Sequence, residues 1–123
     1  MRKPPNPYRE ISEKAFQRQV VELAQLLGWH WLHVSHSPQV KRGVVTRYTT
    51  PTMGTLGKGW PDLILLREKD RRLVFAELKS EIGVLSAEQQ RVLDILRDTG
   101  HGVLFEVYVW RPHDIDEIAD ILR

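Results

Sequence analysis

Two charged side chains stand two residues apart in a stretch that otherwise has the pattern of a buried strand. The segment FAELKS, residues 75–80, places Glu77 and Lys79 on either side of Leu78. Because side chains alternate across a strand, Glu77 and Lys79 share one face, while Leu78 faces the core. A carboxylate and an ammonium at the edge of an apolar core need a chemical explanation.

A second carboxylate, Asp62, lies on the preceding predicted strand. It follows Pro61, which cannot donate to a sheet ladder and therefore marks a strand start or a bend. A polar stretch at residues 69–71 joins the two strands as a hairpin, so position 62 pairs with positions 77 to 79. The sequence therefore predicts that Asp62 and Glu77 meet across neighbouring strands.

Two carboxylates that lie this close repel each other unless they share a proton or a divalent cation. Ligation by oxygen atoms alone suits Mg²⁺ or Mn²⁺, which keep several waters and also bind phosphates. Such an ion can activate water and stabilise the charge of phosphodiester hydrolysis. Lys79 would orient or deprotonate that water, or neutralise charge at the phosphate. In the simpler interpretation, Glu77 and Lys79 form a surface ion pair and Asp62 caps a turn.

The surrounding sequence predicts the elements that would hold these groups. Helical periodicity covers residues 12–27 and returns between an N-cap at Ser86 and a C-cap at Gly100, and Pro112 opens a short final helix. Strand patterns occur at residues 29–36, 62–68, 72–80 and 103–110. The order α-β-β-β-α-β-α indicates an α/β domain with helices packed on a mixed sheet.

Residues 37–59 interrupt this order with frequent glycine and proline, and they are predicted to form a long loop with a short strand in VVTRYTT. We expect basic side chains of this loop to hold a nucleic-acid backbone, although a solvated charged surface is the simpler alternative. These residues are Lys41, Arg42, Arg47 and Lys58.

Length and composition limit the class of protein. The 123 residues suffice for one domain, with residues 1–11 as a flexible arm and 12–123 as the folded unit. Cysteine is absent, which excludes disulfides and thiolate metal sites. There is neither an apolar run near eighteen residues nor a secretory signal, so we expect no membrane partner and a cytoplasmic location, in a bacterial host if the chain is phage-encoded.

Three stretches together resemble the VRR-NUC domain, a branch of the PD-(D/E)xK nuclease superfamily. They are GKGWPDLILL at residues 57–66, FAELKSEIGVLSAEQ at 75–89 and VYVWRPHDIDEI at 107–118. The resemblance runs from Ser12 to the C-terminus, and the second stretch is far longer than a bare catalytic trio. It implies a restriction-endonuclease-like αβββαβ core, with a mixed central sheet flanked by helices and a short C-terminal helix, in a stand-alone protein of phage or bacterial type.

The resemblance also implies roles for residues at matching positions. Asp62 and Glu77 would bind the metal ion, Mg²⁺ or Mn²⁺, with the carbonyl of Leu78 as an additional ligand. Lys79 would be the catalytic lysine.

Two further residues complete the implied site. An acid on the first helix is expected, and Glu13 is the choice, with Glu22 as the weaker candidate. Glu13 could instead favour the helix dipole as a first-turn acid. Gln89 matches the helix glutamine of the family, but it also lies three residues after Ser86 and could complete a capping box. Contact with the scissile phosphate is a further possibility for three residues at the end of the first strand: Ser35, His36 and Ser37.

The function that the resemblance implies is a metal-dependent, structure-selective DNA endonuclease similar to Holliday junction resolvases. A homodimer is then expected, because two sites related by a two-fold axis can make paired cuts in a four-way junction. A flap-selective or non-specific nuclease is one alternative. A non-catalytic nucleic-acid-binding module of the same fold is another, and an RNA-directed nuclease or toxin is a third.

Overall fold

The protein is described by a computed structural model that covers residues 3–34, 37–41, 43–49 and 54–123, with the backbone alone described at 37–41 and 44–49. The helices of this part are α1 (Glu13–Leu26), α2 (Ala87–Gly100) and α3 (Ile115–Leu122). Its strands are β1 (His30–His33), β2 (Ser37–Lys41), β3 (Val44–Thr49), β4 (Leu63–Arg67), β5 (Arg72–Leu78) and β6 (Glu106–Trp110). None of these helices is long and apolar enough to cross a membrane.

Four of the strands form a mixed sheet in the order β1-β4-β5-β6. Strand β4 runs antiparallel to both β1 and β5, while β6 runs parallel to β5 after the crossover through α2. The prediction of an α/β domain with helices packed on a mixed sheet is confirmed, and the arrangement is consistent with a restriction-endonuclease-like core. Leu63 lies opposite Ala76, so the register places position 62 beside Glu77.

Side chains of the sheet alternate between two apolar clusters. Leu63, Leu65 and Ala76 are fully buried in the cluster that includes side chains of α1 and α3. Phe75 and Val107 belong to the second cluster, which contains the inward face of α2. Because β5 is covered on both faces, Glu77 cannot reach bulk water from within the strand, and it is 1% exposed.

The predicted starts of α1 after Ser12 and of α2 after Ser86 are confirmed. Pro112 opens a short 3₁₀ helix, Pro112–Asp114, and α3 begins after it at Ile115, while the predicted end of α2 is wrong. The Ser86 side chain caps α2 by accepting from the N–H of Gln89 at 3.1 Å. Gly100 is not the C-cap of α2; it is the last helical residue, and His101 takes the C-cap position. A Cβ atom on Gly100 would lie 2.9 Å from Cβ of Leu104, so glycine is needed there for close packing rather than for a left-handed turn.

The segment predicted as a long loop contains a second sheet of two antiparallel strands. The short strand predicted in VVTRYTT is confirmed as β3, and it pairs with β2, which was not predicted. Pro38 lies within β2 opposite Tyr48, and proline argues against a central strand because it lacks an N–H donor. Both strands of a two-stranded sheet have a free edge, so proline is tolerated here. The first predicted strand, 29–36, ends at His33 in the structure.

A buried arginine joins the ends of several elements. Arg67 is 4% exposed, and its guanidinium lies 4.5 Å from the centroid of the Trp29 ring. It donates to the carbonyls of Leu27 at 3.0 Å and Leu122 at 2.8 Å, and it forms a two-bond ion pair with Asp70. The ends of α1 and α3 therefore depend on one side chain of β4.

We expect Arg67→Met to lower the free energy of unfolding by about 2–4 kcal/mol, because the carbonyls of Leu27 and Leu122 and the carboxylate of Asp70 each lose a hydrogen bond from a buried guanidinium. Arg18→Met, at an exposed position of α1, should change the free energy by less than about 0.5 kcal/mol. Urea unfolding followed by circular dichroism measures both. Equal midpoints for the two variants would show that Arg67 does not hold these ends together.

Candidate active site

A polar pocket of about 250 Å³ lies where β5 ends and where α1 and α2 begin. It brings together the five residues that the sequence proposed as catalytic: Glu13, Asp62, Glu77, Lys79 and Gln89. They come from the starts of α1 and α2, from the end of β5 and the residue that follows it, and from the residue before β4, so the pocket exists only in the folded chain.

Asp62 is fixed by hydrogen bonds to both neighbouring strands. Its Oδ2 accepts from the backbone N–H of Leu78 at 2.9 Å, and its backbone carbonyl accepts from the N–H of Val34 at 2.8 Å. The Leu78 side chain lies in the core, 1% exposed, as the strand alternation predicted. The predicted role of the Leu78 carbonyl as a metal ligand stays a prediction.

The approach of the chain to Asp62 requires a glycine. A 3₁₀ helix at Gly57–Gly59 packs against the start of α2, and a Cβ atom on Gly59 would lie 2.1 Å from the carbonyl oxygen of Glu88. No side chain can be accommodated at that distance. Gly59 therefore sets how closely the Trp60–Pro61 turn, and Asp62 after it, sits against α2.

Glu77 is the electrostatic centre of the pocket. Its Oε1 accepts from Nε2 of Gln89 at 3.0 Å and lies 4.0 Å from Nζ of Lys79. Among the side chains that the structure describes, Oε2 of Glu77 is the buried atom without a hydrogen-bond partner. Burial raises the pKa of Glu77 to about 9, and the negative charge of Asp62 acts in the same direction.

Gln89 makes both of the contacts that the sequence left open, one with the helix cap at Ser86 and one with the site at Glu77. Its backbone N–H and its side-chain Oε1 form a reciprocal capping box with Ser86, at 3.1 Å and 2.9 Å. Its side-chain Nε2 is then directed at Glu77. The start of α2 therefore orients one oxygen of Glu77 and leaves the other free.

Glu13 is the first residue of α1 and completes the wall opposite α2. Partial burial raises its pKa; the positive charge of Lys79 opposes the shift and the carboxylate of Asp62 supports it. Glu13 lines the same pocket as Lys79 and Asp62. Glu22, the weaker candidate, is exposed further along α1 and does not line the pocket.

The donor set fits a hard divalent cation. Asp62 and Glu77 face one pocket together with Glu13, and one oxygen of Glu77 is buried without a partner. Glu77 resists ionisation unless positive charge arrives. Within the described chain, no group of three His, Cys, Asp or Glu side chains is arranged to hold a metal ion by itself. Waters or substrate oxygens would have to supply further ligands, and Mg²⁺ characteristically keeps several waters.

Two polar residues of the pocket were missed by sequence reasoning. Gln17 follows Glu13 by one helical turn and therefore shares its face of α1, which is a signal that the sequence contains. His33 also lines the pocket, at the end of β1 opposite Leu63. The sequence carries no signal for His33, because alternation on a strand separates the side chains of His30 and His33.

Several predicted contact residues fall where the structure gives no side chain. Ser35, His36 and Arg42 lie outside the described residues, and so do the side chains of Ser37, Lys41 and Arg47. Lys58 is described, and it is exposed within the 3₁₀ helix that leads to Asp62.

In the comparison with protein-family models, the VRR-NUC domain matches residues 8–109. The matched range contains all five proposed catalytic residues and the whole mixed sheet except the last residue of β6. Comparison with curated proteins and with solved structures gave no match.

We expect Gly59→Ala to lower the free energy of unfolding by about 2–3 kcal/mol, because the added methyl group overlaps the backbone of α2. Lys58→Ala, at the exposed position next to it, is the matched control and should have little effect on stability. Thermal unfolding of both variants measures the difference. A Gly59→Ala protein as stable as the control would mean that the close approach is not required.

The raised pKa of Glu77 predicts how the metal-free protein responds to pH. Its carboxyl is protonated in the folded state up to about pH 9 but ionises near 4.5 when the chain unfolds, so the folded state binds the extra proton. The contribution of Glu77 to the free energy of unfolding is therefore most favourable below pH 4.5, and it is lost as the pH rises toward 9. Glu77→Gln removes this loss.

Thermal melts in EDTA between pH 5 and 9 test that response, with Glu77→Gln as the comparison. Addition of Mg²⁺ should stabilise the unmodified protein more at pH 8 than at pH 5, because an ion replaces the proton. If both proteins lose stability in parallel as pH rises, the buried carboxyl of Glu77 is not responsible.

Proposed function

The chain belongs to the VRR-NUC domain family, a family of nuclease-type domains, and on that premise we propose that it is a Mg²⁺- or Mn²⁺-dependent endonuclease that hydrolyses phosphodiester bonds in DNA. The observation that carries the proposal is the pair formed by Asp62 and Glu77, with one buried carboxylate oxygen unpartnered and Lys79 beside it. A fold has no need for such a pair, because burying like charges together is unfavourable.

In this proposal Asp62 and Glu77 hold the ion, and the carbonyl of Leu78 is a further candidate ligand. The ion, when bound, supplies an activated water and stabilises negative charge on the phosphate. The protein contributes the fixed positions of the carboxylates: the Leu78 N–H orients Asp62, and Gln89 orients Glu77. Neither carboxylate has to reorganise when the substrate arrives, which favours catalysis.

Lys79 supplies the positive charge on the other side of the pocket. Its side chain is 14% exposed, and Nζ lies 4.0 Å from Oε1 of Glu77, too far for a strong ion pair to hold it. In the proposed mechanism Lys79 orients the attacking water or neutralises the phosphate. Glu13, at the start of α1, can hold water at the rim of the same pocket.

Preference for branched DNA and assembly as a homodimer are the finer parts of the proposal, and they rest on the resemblance to Holliday junction resolvases. Exposed apolar side chains on β1 and its neighbour β4 support a contact between copies. Leu32 is 58% exposed and Leu66 is 50% exposed, and β1 is the edge strand of the mixed sheet. Sedimentation of the purified protein tests the dimer.

We expect cleavage of DNA in Mg²⁺ or Mn²⁺ and none in EDTA, with four-way junctions cut faster than linear duplex. Asp62→Asn and Lys79→Met should each lower the rate by at least about 100-fold, because each removes a group that contacts the reacting centre. Asp98→Asn and Lys69→Met make the same charge changes at exposed positions and should retain activity.

A panel of linear duplex, flap, four-way junction and RNA substrates measures these rates. A protein that binds DNA but cuts none of the substrates with either ion would be a binding module. Cleavage of RNA but of no DNA substrate would make the protein an RNA-directed nuclease. A preference for flaps over junctions would replace the resolvase-like assignment with a flap-selective nuclease.

A further inference from the structure

The loop between β5 and α2 exposes two apolar side chains beside the pocket. Ile82 is 64% exposed and Val84 is 83% exposed, and neither belongs to the apolar clusters of the sheet. They flank Gly83, whose position lies against the stem of Lys79: a Cβ atom there would be 3.5 Å from Cδ of Lys79. The loop is therefore part of the immediate surroundings of the site.

Arg111, which directly follows β6, holds the backbone of this loop. Nη1 of Arg111 donates to the carbonyls of Ser80 at 2.6 Å and Gly83 at 2.7 Å. The N–H of Gly83 also donates to the carbonyl of Ser80 at 3.2 Å, which closes a turn. The tip that carries Ile82 and Val84 is thus fixed at its base by a charged donor.

Glu81 anchors the same loop from the other direction. Its side chain is 7% exposed and accepts from Nδ2 of Asn6 and from the N–H of His113, both at 2.9 Å. The loop turns its charged residue inward and its apolar residues outward, the reverse of what solubility alone favours. A rigid loop loses little conformational entropy when it binds, so this arrangement suits contact with a ligand.

The distance along the chain shows what the two side chains can reach. Ile82 is three residues after Lys79, and an extended chain spans at most about 3.6 Å per residue, so their Cα atoms are within about 11 Å. Stacked nucleotides advance about 3.4 Å per step along a duplex. If Lys79 serves the scissile phosphate, Ile82 lies within about three nucleotides of the cut. Val84 adjoins Gly83, whose position lies against the stem of Lys79.

We propose that Ile82 and Val84 form an apolar wedge that contacts an unstacked base next to the scissile phosphate, so that the site takes DNA with an unpaired or weakly stacked nucleotide there. The proposal rests on the nuclease function proposed above. Aliphatic side chains offer no hydrogen bonds to base edges, but they cover the apolar face of a base that has left the stack, whatever its identity. A fully paired duplex presents no such face, because its bases cover one another.

The chain provides a matched control at the other end of the sheet. Val103 is 87% exposed in the loop that leads into β6. That loop lies near Val74, because Val74 pairs with Glu106 at the start of β6. Val74 precedes Lys79 by five residues of extended chain, so it is roughly 16 Å from the site. Val103→Ser makes the same substitution as Val84→Ser, at a similarly exposed valine that lies far from the pocket.

The test compares the Ile82→Ser/Val84→Ser protein with Val103→Ser and the unmodified protein. The first readout is the ratio of kcat/KM on a four-way junction to kcat/KM on a linear duplex of the same sequence. We expect the double variant to lower this ratio about tenfold, as expected for a lost apolar contact, and Val103→Ser to leave it unchanged. Circular dichroism confirms that all three proteins are folded.

The second readout does not need cleavage. In an Asp62→Asn background, 2-aminopurine placed at each nucleotide around the cut reports unstacking by its fluorescence. The wedge predicts a fluorescence change at one of these nucleotides that is lost in the Ile82→Ser/Val84→Ser variant and kept in Val103→Ser.

The outcomes separate the wedge from the nuclease function. If the unmodified protein cuts DNA but the ratio and the fluorescence are the same in the double variant, the wedge is wrong and the nuclease function stands. If the double variant sediments as a smaller species, the loop is a contact between copies, which also overturns the wedge. If the unmodified protein cuts no DNA, the function proposed above fails, and the wedge fails with it.

Discussion

The burial of Glu77 against Asp62 is the interaction on which the site depends. β5 is covered on both faces, so the carboxylate of Glu77, near the end of this strand, is removed from water and lies beside Asp62. Such a pair is unfavourable unless a proton or a cation joins it. The hydrogen bonds around the pair hold both carboxylates in place rather than separating them, and that is why we interpret the pair as a binding site.

The rest of the fold keeps these two groups in register. The antiparallel pairing of β4 with β5 places Asp62 opposite Glu77, and Gly59 allows the turn before Asp62 to pack against α2. The capping box of α2 directs Gln89 at Glu77, so the local chemistry of a helix start also orients a site residue. The loop between β5 and α2, which Arg111 holds by its backbone, adds the exposed apolar side chains of Ile82 and Val84 to the surroundings of the site.

Much of this arrangement could be predicted from the sequence, because alternation and short-range spacing determine it. The hairpin turn at residues 69–71 sets the partner of Asp62, and the three-residue spacing from Ser86 to Gln89 indicates a cap. Features that depend on distant parts of the chain could not be predicted. The role of Arg67 requires the ends of two helices to converge on β4, and the place of His33 requires the pairing of β1.

The direct test of the central claim is calorimetric titration of Mn²⁺ into the protein without DNA at pH 7, in buffers of different ionisation enthalpy. Because Glu77 is protonated at that pH, a cation held by Asp62 and Glu77 should bind with release of about one proton, and Glu77→Gln should bind with none. Binding by the unmodified protein without proton release, or no binding at all, would contradict the assignment of this buried pair as the metal site.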